Sequence, residues 1–187
     1  MVAMISKLSN HLYAWAKGRT VLAVFAALIL FMVVTLPLLP KVYPGSSSMK
    51  SLDDPAFYTP AQVFSILEGW GAEGRTYQLW LHLTWDIAVP VLGFFCLGLS
   101  LSWLFQRSFQ PGSRLRKLNL VSLSSAFDLL ENFSLAGLLV AYPAHPAWAA
   151  WLKTAFTSAK FAFLMALLLL LAAGLILAAR NRFKVLE

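Results

Sequence analysis

Two long stretches of the chain contain no charged side chain. Residues 20–39 carry no charge over 20 positions, and residues 161–179 carry none over 19 positions. As α-helices they would be about 30 Å and about 28 Å long, which matches the thickness of the hydrocarbon layer of a bilayer. Only 12% of the 187 residues are charged, and 59% are hydrophobic. The sequence therefore predicts an integral membrane protein.

The hydrophobic pattern predicts an all-α fold, a membrane four-helix bundle that forms one domain over residues 1–187. Polar and basic segments divide the chain into predicted transmembrane helices at about 20–39, 77–105, 118–142 and 147–179. Residues 41–76 form the one substantial loop between them, and this loop is predicted to be extracytoplasmic.

The outer loop, between the first and second membrane helices, is predicted to contain a short amphipathic helix. Thr59 is a typical N-cap, Pro60 suits the first helical position, and Gln62 completes a capping box. The apolar residues that follow predict a helix lying in the membrane interface, over the mouth of the bundle. Before the loop, Pro37 and Pro40 are expected to end the first membrane helix.

The basic residues predict an orientation in the membrane. Ten of the 15 Lys and Arg residues lie before the first predicted helix, between the second and third, or after the fourth. Because cytoplasmic loops are enriched in Lys and Arg, both termini are predicted to be cytoplasmic, in a bacterial inner membrane. The net charge of +7 has the same explanation. Membrane lipids, rather than nucleic acid, are the expected partners.

The segment from Asp128 to Asn132 places two carboxylates and a carboxamide inside an apolar run. Asp128, Glu131 and Asn132 are spaced i, i+3 and i+4, so a helix presents them on one face. Facing lipid, each acid would cost about 2.5–3.5 kcal/mol, so they are expected to face the bundle or water. Two acids one turn apart also repel, so at least one is expected to be protonated near neutrality unless a cation lies close.

Further polar residues are expected to surround this face at its outer end. Arg75, Tyr77, His82 and Asp86 open the second predicted helix, and Lys160 lies at a similar depth on the fourth. We expect them to form the mouth of a pocket between the second, third and fourth helices, with the residues at 128, 131 and 132 as its floor. Three of these residues also have a structural interpretation: His82 as a solvated residue, and Arg75 and Lys160 as interfacial anchors.

No cofactor or metal is expected from the sequence. Cys96 is the single cysteine, which excludes an intramolecular disulfide and a thiol relay. His11 and His145 are poorly placed to provide axial ligands to a haem together with His82. Nucleophile elbows, phosphate-binding loops and zinc-protease motifs are absent from the sequence.

In plan, the chain is similar to small membrane sterol-isomerase and sigma-2-type proteins, which also bury acids in a compact helical bundle. The resemblance is architectural and transfers no residues.

The leading hypothesis is a protein that binds or carries a small amphiphilic molecule, lipid-like or cationic, in an outward-opening polar pocket with buried carboxylates. The first alternative is a membrane-embedded enzyme that uses Asp128 or Glu131 as general acid or base, with Asn132 to orient the substrate. The second is a structural subunit whose polar stripe contacts another membrane protein or holds its own helices together. The sequence leaves open whether the protein catalyses a reaction and whether it forms a homo- or hetero-oligomer.

Overall fold

The computed structural model describes residues 2–54 and 57–184. Within these residues the regular secondary structure is helical. The predicted domain also included residues 1, 55, 56 and 185–187, which lie outside the described residues. The α-helices are α1 (Val2–Trp15), α2 (Gly18–Thr35), α3 (Leu39–Val42), α4 (Pro60–Gly69), α5 (Gly71–Leu83), α6 (Trp85–Ser108), α7 (Ser125–Ala141) and α8 (Ala147–Lys184). Three 3-10 helices cover Leu36–Leu38, Pro44–Ser48 and Arg114–Ser124.

Four helical segments are long and apolar enough to cross a membrane. They cover Gly18–Val42, Gly71–Ser108, Arg114–Ala141 and Ala147–Arg182. The prediction of an all-helical chain with four such segments is confirmed. Three of these segments differ from the predicted helices in their internal structure.

The first segment changes its helix type where the prolines occur. α2 ends at Thr35, and a 3-10 turn containing Pro37 precedes the short helix α3. Proline lacks the amide hydrogen that a continuing α-helix needs, so α2 ends before Pro37, earlier than the predicted end at residue 39. Pro40, which was also expected to end the helix, instead lies in the first turn of α3. The Thr35 hydroxyl donates to Phe31 O (2.6 Å) and accepts from Trp85 Nε1 (2.7 Å).

The second predicted helix, at 77–105, is wrong as one continuous element. It consists of α5, which begins at Gly71, and α6, which begins at Trp85. Thr84 separates them with φ −124° and ψ −78°, and its hydroxyl donates to Trp80 O (2.7 Å). A threonine hydroxyl bonded to the carbonyl four residues earlier often accompanies a bend in a helix. The predicted glycine turn is present at Gly71, where φ is +64°.

The third predicted helix, at 118–142, begins as a 3-10 helix and becomes an α-helix only at Ser125. Asn119 is fully buried in the 3-10 part. Its amide accepts from Ser9 Oγ (2.9 Å) and donates to Ser102 Oγ (2.9 Å). Side-chain hydrogen bonds to distant segments thus hold this stretch in the tighter geometry.

The described chain folds into two compact units, each with its own core. One comprises residues 2–28, 92–124 and 163–184. Its core contains Leu12, Ala16, Leu99, Leu101, Leu104, Phe105 and Leu167. The helix α1, which was not predicted, contributes Leu12 to it.

The other unit comprises residues 29–91 and 125–162, except 55 and 56, and contains all eight predicted site residues. Its core includes Leu52, Val63, Leu67, Leu135, Leu138 and Ala150. Val63 and Leu67 lie on one face of α4, so this face is buried within the unit. The prediction that α4 lies in the membrane interface stays a prediction.

The N-terminus of α4 carries the predicted capping box. Gln62 N donates to Thr59 Oγ1 (3.4 Å), and Thr59 N donates to Gln62 Oε1 (2.9 Å). Pro60 occupies the first turn, where an amide hydrogen would have no helical partner in any case.

Replacing Thr59 with alanine is expected to lower the free energy of unfolding by about 1 kcal/mol, because the first turn loses the acceptor for one of its free amides. Thermal unfolding in detergent, followed by circular dichroism, measures the change. Thr76→Ala is the control, since this exposed hydroxyl only bonds to Ala72 O within its own helix. Equal losses in the two variants would contradict the role of the cap.

Candidate functional site

A cavity of about 370 Å³ lies in the unit formed by residues 29–91 and 125–162. Its lining comes from the end of the first apolar segment, the loop after it and the helices α5 and α6, rather than from α7 and α8. The lining residues are Leu36, Leu39, Pro40, Ser46, Met49, Ser51, Leu52, Asp53, Tyr77, Gln78, Leu81, His82, Trp85 and Asp86. Three predicted site residues, Tyr77, His82 and Asp86, are therefore brought together in one cavity.

His82 is held in a defined orientation by two acceptors. Its Nδ1 lies 2.7 Å from Asp86 Oδ2 and 3.1 Å from Asn132 Oδ1. Because both neighbouring atoms accept hydrogen bonds, Nδ1 carries the hydrogen, and Nε2 is the ring nitrogen left for another partner. The His82 side chain is buried and that of Asp86 is 13% exposed. The pair spans the break at Thr84, so the imidazole joins α5 to α6.

Pro90 explains why Asn132 contacts the backbone carbonyl of Asp86. Proline has no amide hydrogen, so the carbonyl of Asp86, four residues earlier, loses its helical partner. Asn132 Nδ2 donates to that carbonyl oxygen at 2.6 Å, while its Oδ1 accepts from His82. Asn132 is 1% exposed and thus satisfies two buried groups on the neighbouring helices.

Glu131 lies one residue earlier on α7 but belongs to a different cluster. Its Oε1 is 2.9 Å from Lys153 Nζ and accepts from Thr157 Oγ1 at 2.8 Å. Its Oε2 is 2.6 Å from Lys160 Nζ. Two ammonium groups from α8 therefore surround this one carboxylate, which is 1% exposed. A nearby cation was the condition under which neither of the two adjacent acids was expected to be protonated. Lys153 lies beside Glu131, and Lys160 lies beside both acids.

Lys160 connects this cluster to the wall of the cavity. Its Nζ contacts Asp53 and lies 3.3 Å from Asp128 Oδ1. Its side chain is 13% exposed. Together with the contact to Glu131, these contacts make Lys160 the counter-ion of three acids. Asp53 lines the cavity, so one carboxylate belongs both to the ion cluster and to the cavity. Asp86, which lies at a depth similar to that of Lys160 in the predicted topology, bonds to His82 and not to Lys160.

Two side chains of α8, Lys153 and Thr154, also hold the loop that forms one side of the cavity. Lys153 donates to Leu52 O, and Thr154 Oγ1 donates to Tyr58 O at 2.9 Å. The Tyr58 hydroxyl in turn donates to Asp54 Oδ2 at 2.8 Å. Burial raises the pKa of the Tyr58 phenol, and the Asp54 carboxylate raises it further, so the phenol keeps its proton and remains a donor.

Arg75 lies in the same unit but contacts residues outside the cavity. Its Nη1 donates to Leu67 O at 3.1 Å, and its guanidinium carbon lies 3.7 Å from the centre of the Tyr142 ring. Tyr77 stacks on Tyr43, with ring centres 5.1 Å apart. Arg75 is absent from the cavity lining, and so are Asp128, Glu131, Asn132 and Lys160.

Two contributors to this arrangement, Lys153 and Asp53, were not among the predicted site residues. Lys153, Thr157 and Lys160 are spaced i, i+4 and i+7, which places them on one face of α8. That spacing was a signal available in the sequence, because it pairs a basic stripe with the acidic stripe of Asp128 and Glu131. No comparable signal assigns Asp53 to Lys160, since 107 positions separate them.

Within the described residues, no group of three or more His, Cys, Asp or Glu side chains is placed to hold a metal ion. Comparison of the chain with protein-family models, curated proteins and solved structures gives no match.

Proposed function

We propose that this protein binds or carries a small amphiphilic cation in the cavity next to His82 and Asp86. The observation that carries the proposal is the charge of the lining: Asp53 and Asp86 contribute carboxylates, and among the described residues no Lys or Arg side chain lines the cavity. Lys160 balances part of the charge of Asp53, which leaves Asp86 as the main anchor for a ligand cation.

The rest of the lining suits an apolar body joined to that cation. Leu36, Leu39 and Leu81 supply apolar surface, and Tyr77 and Trp85 supply aromatic rings. Aromatic faces attract cations, most strongly where water is excluded. A volume of about 370 Å³ is near the lower end of the range for small-molecule pockets, which favours a compact ligand.

A pair of isosteric probes tests the preference for a cation. Benzyltrimethylammonium is expected to bind about tenfold more tightly than neopentylbenzene, its neutral carbon isostere. Asp86→Asn is expected to remove about tenfold of the cation's affinity and to leave the neutral probe unchanged, because only the cation interacts with the lost charge. Isothermal titration calorimetry in detergent measures both.

Two further variants separate this effect from general changes in charge or folding. Gln78→Glu adds a carboxylate to the lining and is expected to tighten the binding of the cation. Glu73→Gln removes an exposed charge from the same helix, away from this cavity, and should have no effect. Equal affinities for the two probes in the wild-type protein would refute the proposal.

We also propose how the helices are arranged in the membrane and on which side the termini lie. The four apolar segments form a membrane bundle, α4 lies in the outer interface, and both termini face the cytoplasm of a bacterial cell. The ten basic residues near the predicted cytoplasmic ends support this orientation. A fusion of green fluorescent protein to the C-terminus tests it, since the fusion fluoresces only if it stays in the cytoplasm.

An enzyme is the second candidate, and the orientation of His82 favours it. A carboxylate on Nδ1 leaves Nε2 to act as a base, and His82 lines the cavity, whereas Asp128 and Glu131 lie outside the lining and contact lysines. Incubation with a total lipid extract, followed by mass spectrometry, would reveal a product. His82→Gln should abolish its formation, and persistence of the product would exclude His82 as the base.

A further inference from the structure

A second large groove lies in the other unit, at the C-terminal end of α6. It has a volume of about 710 Å³. Its lining residues are Trp103, Leu104, Arg107, Leu175, Ala178, Ala179, Asn181 and Arg182, and all of them come from α6 and α8. None of the residues discussed for the first cavity contributes to it.

Hydrogen bonds hold the two helices of this groove together. The Ser108 hydroxyl donates to Gly174 O at 3.1 Å, and Asn181 Nδ2 donates to Arg107 O at 3.0 Å. A Cβ atom on Gly174 would lie 3.2 Å from Leu104 Cβ, so glycine permits the close approach. Direct contacts between α6 and α8 therefore form the wall of the groove.

The polar part of the groove is suited to an anion. Arg107 and Arg182 line it, and no Asp or Glu is among the described residues of the lining. The guanidinium of Arg107 lies over the Trp103 ring, 3.8 Å from its centre, and Nη1 donates to Trp103 O at 3.0 Å. One of its five N–H groups is used in this way, so the others can bind a phosphate oxygen.

The remaining part of the groove is apolar. Leu104, Leu175, Ala178 and Ala179 provide aliphatic surface directly beside the two arginines. Trp103 adds an indole, the ring type that is enriched at the level of lipid headgroups. A soluble anion would use the arginines and leave this surface empty, whereas a phospholipid would cover both parts.

We propose that this groove binds the headgroup and upper acyl chain of an acidic phospholipid. The phosphodiester, with no choline cation beside it to offset its charge, contacts Arg107 and Arg182, and the acyl chain lies along Leu104 and Leu175. Basic pockets between membrane helices bind acidic headgroups in this way. The site is independent of the ligand proposed for the cavity at His82.

Native mass spectrometry of the protein exchanged into equal amounts of phosphatidylglycerol and phosphatidylcholine tests the site. The wild-type protein is expected to retain the acidic lipid preferentially, with each arginine contributing about fivefold. The double variant Arg107→Gln/Arg182→Gln should bind both lipids equally. Arg19→Gln/Arg114→Gln removes two exposed cations of the same unit from outside the groove and should keep the preference.

Three results would overturn the proposal. The first is a wild-type protein without preference for the acidic lipid. The second is an equal loss in the two double variants, which would indicate diffuse surface charge. The third is displacement of the lipid by an equal concentration of glycerol 3-phosphate, which would show that the headgroup alone accounts for binding. Circular dichroism of both double variants tests whether they are folded.

Discussion

Replacing Glu131 with glutamine is expected to lower the free energy of unfolding by about 3–5 kcal/mol. Glu131 is 1% exposed, and so is Lys153, its partner at 2.9 Å. Glutamine keeps the shape and can still accept from Thr157. It removes the charge, however, and leaves the Lys153 ammonium buried without a counter-ion. Such an uncompensated charge costs far more than the loss of a surface ion pair.

The measurement is reversible unfolding in mixed detergent, followed by circular dichroism. Glu68→Gln is the matched control, because the Glu68 side chain is 58% exposed and only approaches His145 at 4.0 Å. We expect it to change the free energy by less than about 0.5 kcal/mol. The double variant Glu131→Gln/Lys153→Met should recover most of the stability, because it removes both charges. A double variant as unstable as Glu131→Gln would show that the buried pair is not the cause.

Replacing Asn132 with alanine is expected to cost about 2–3 kcal/mol. The change leaves the Asp86 carbonyl oxygen without its donor at 2.6 Å and takes one of two acceptors from His82 Nδ1. In a Pro90→Ala background the same change should cost about 1 kcal/mol less. Alanine at position 90 has an amide hydrogen, and this hydrogen can bond to the Asp86 carbonyl as in an uninterrupted helix.

A double-mutant cycle of Asn132→Ala and Pro90→Ala measures this coupling through the same unfolding experiment. Ser134→Ala, a half-buried position on the same helix whose hydroxyl bonds to Leu130 O, serves as the control in both backgrounds. If Asn132→Ala costs the same with and without Pro90, the amide does not replace the missing backbone bond. The coupling is therefore a direct test of why this asparagine lies within an apolar segment.

The segments that are long and apolar enough to cross a membrane could be predicted because their cause is local. A charged side chain is costly in hydrocarbon, so the uncharged runs at 20–39 and 161–179 indicate spans without knowledge of any partner. The capping box at Thr59 and the helix end near Pro37 are local in the same sense. The break at Thr84 and the 3-10 stretch before Ser125 were not predicted, because the hydrophobic pattern continues through both.

The predicted site residues contact one another only partly in the expected grouping. Helical spacing placed Asp128, Glu131 and Asn132 on one face, and that face was expected to serve one pocket. In the structure Asn132 contacts His82 and the Asp86 carbonyl, whereas Glu131 and Asp128 contact lysines of α8. A difference of one position along the helix was enough to direct neighbouring residues to different partners.

The amino-acid sequence alone determined that the chain is helical, that four segments can cross a bilayer, and that acids within them need partners. These properties follow from backbone hydrogen bonding and from the cost of burying charge, which act on each segment separately. Only the tertiary structure decided which partners they have. Lys160 meets Asp53 across 107 positions of sequence, and Lys153 meets Leu52 across 101. Such pairs depend on how whole helices pack, and no spacing along one helix encodes that.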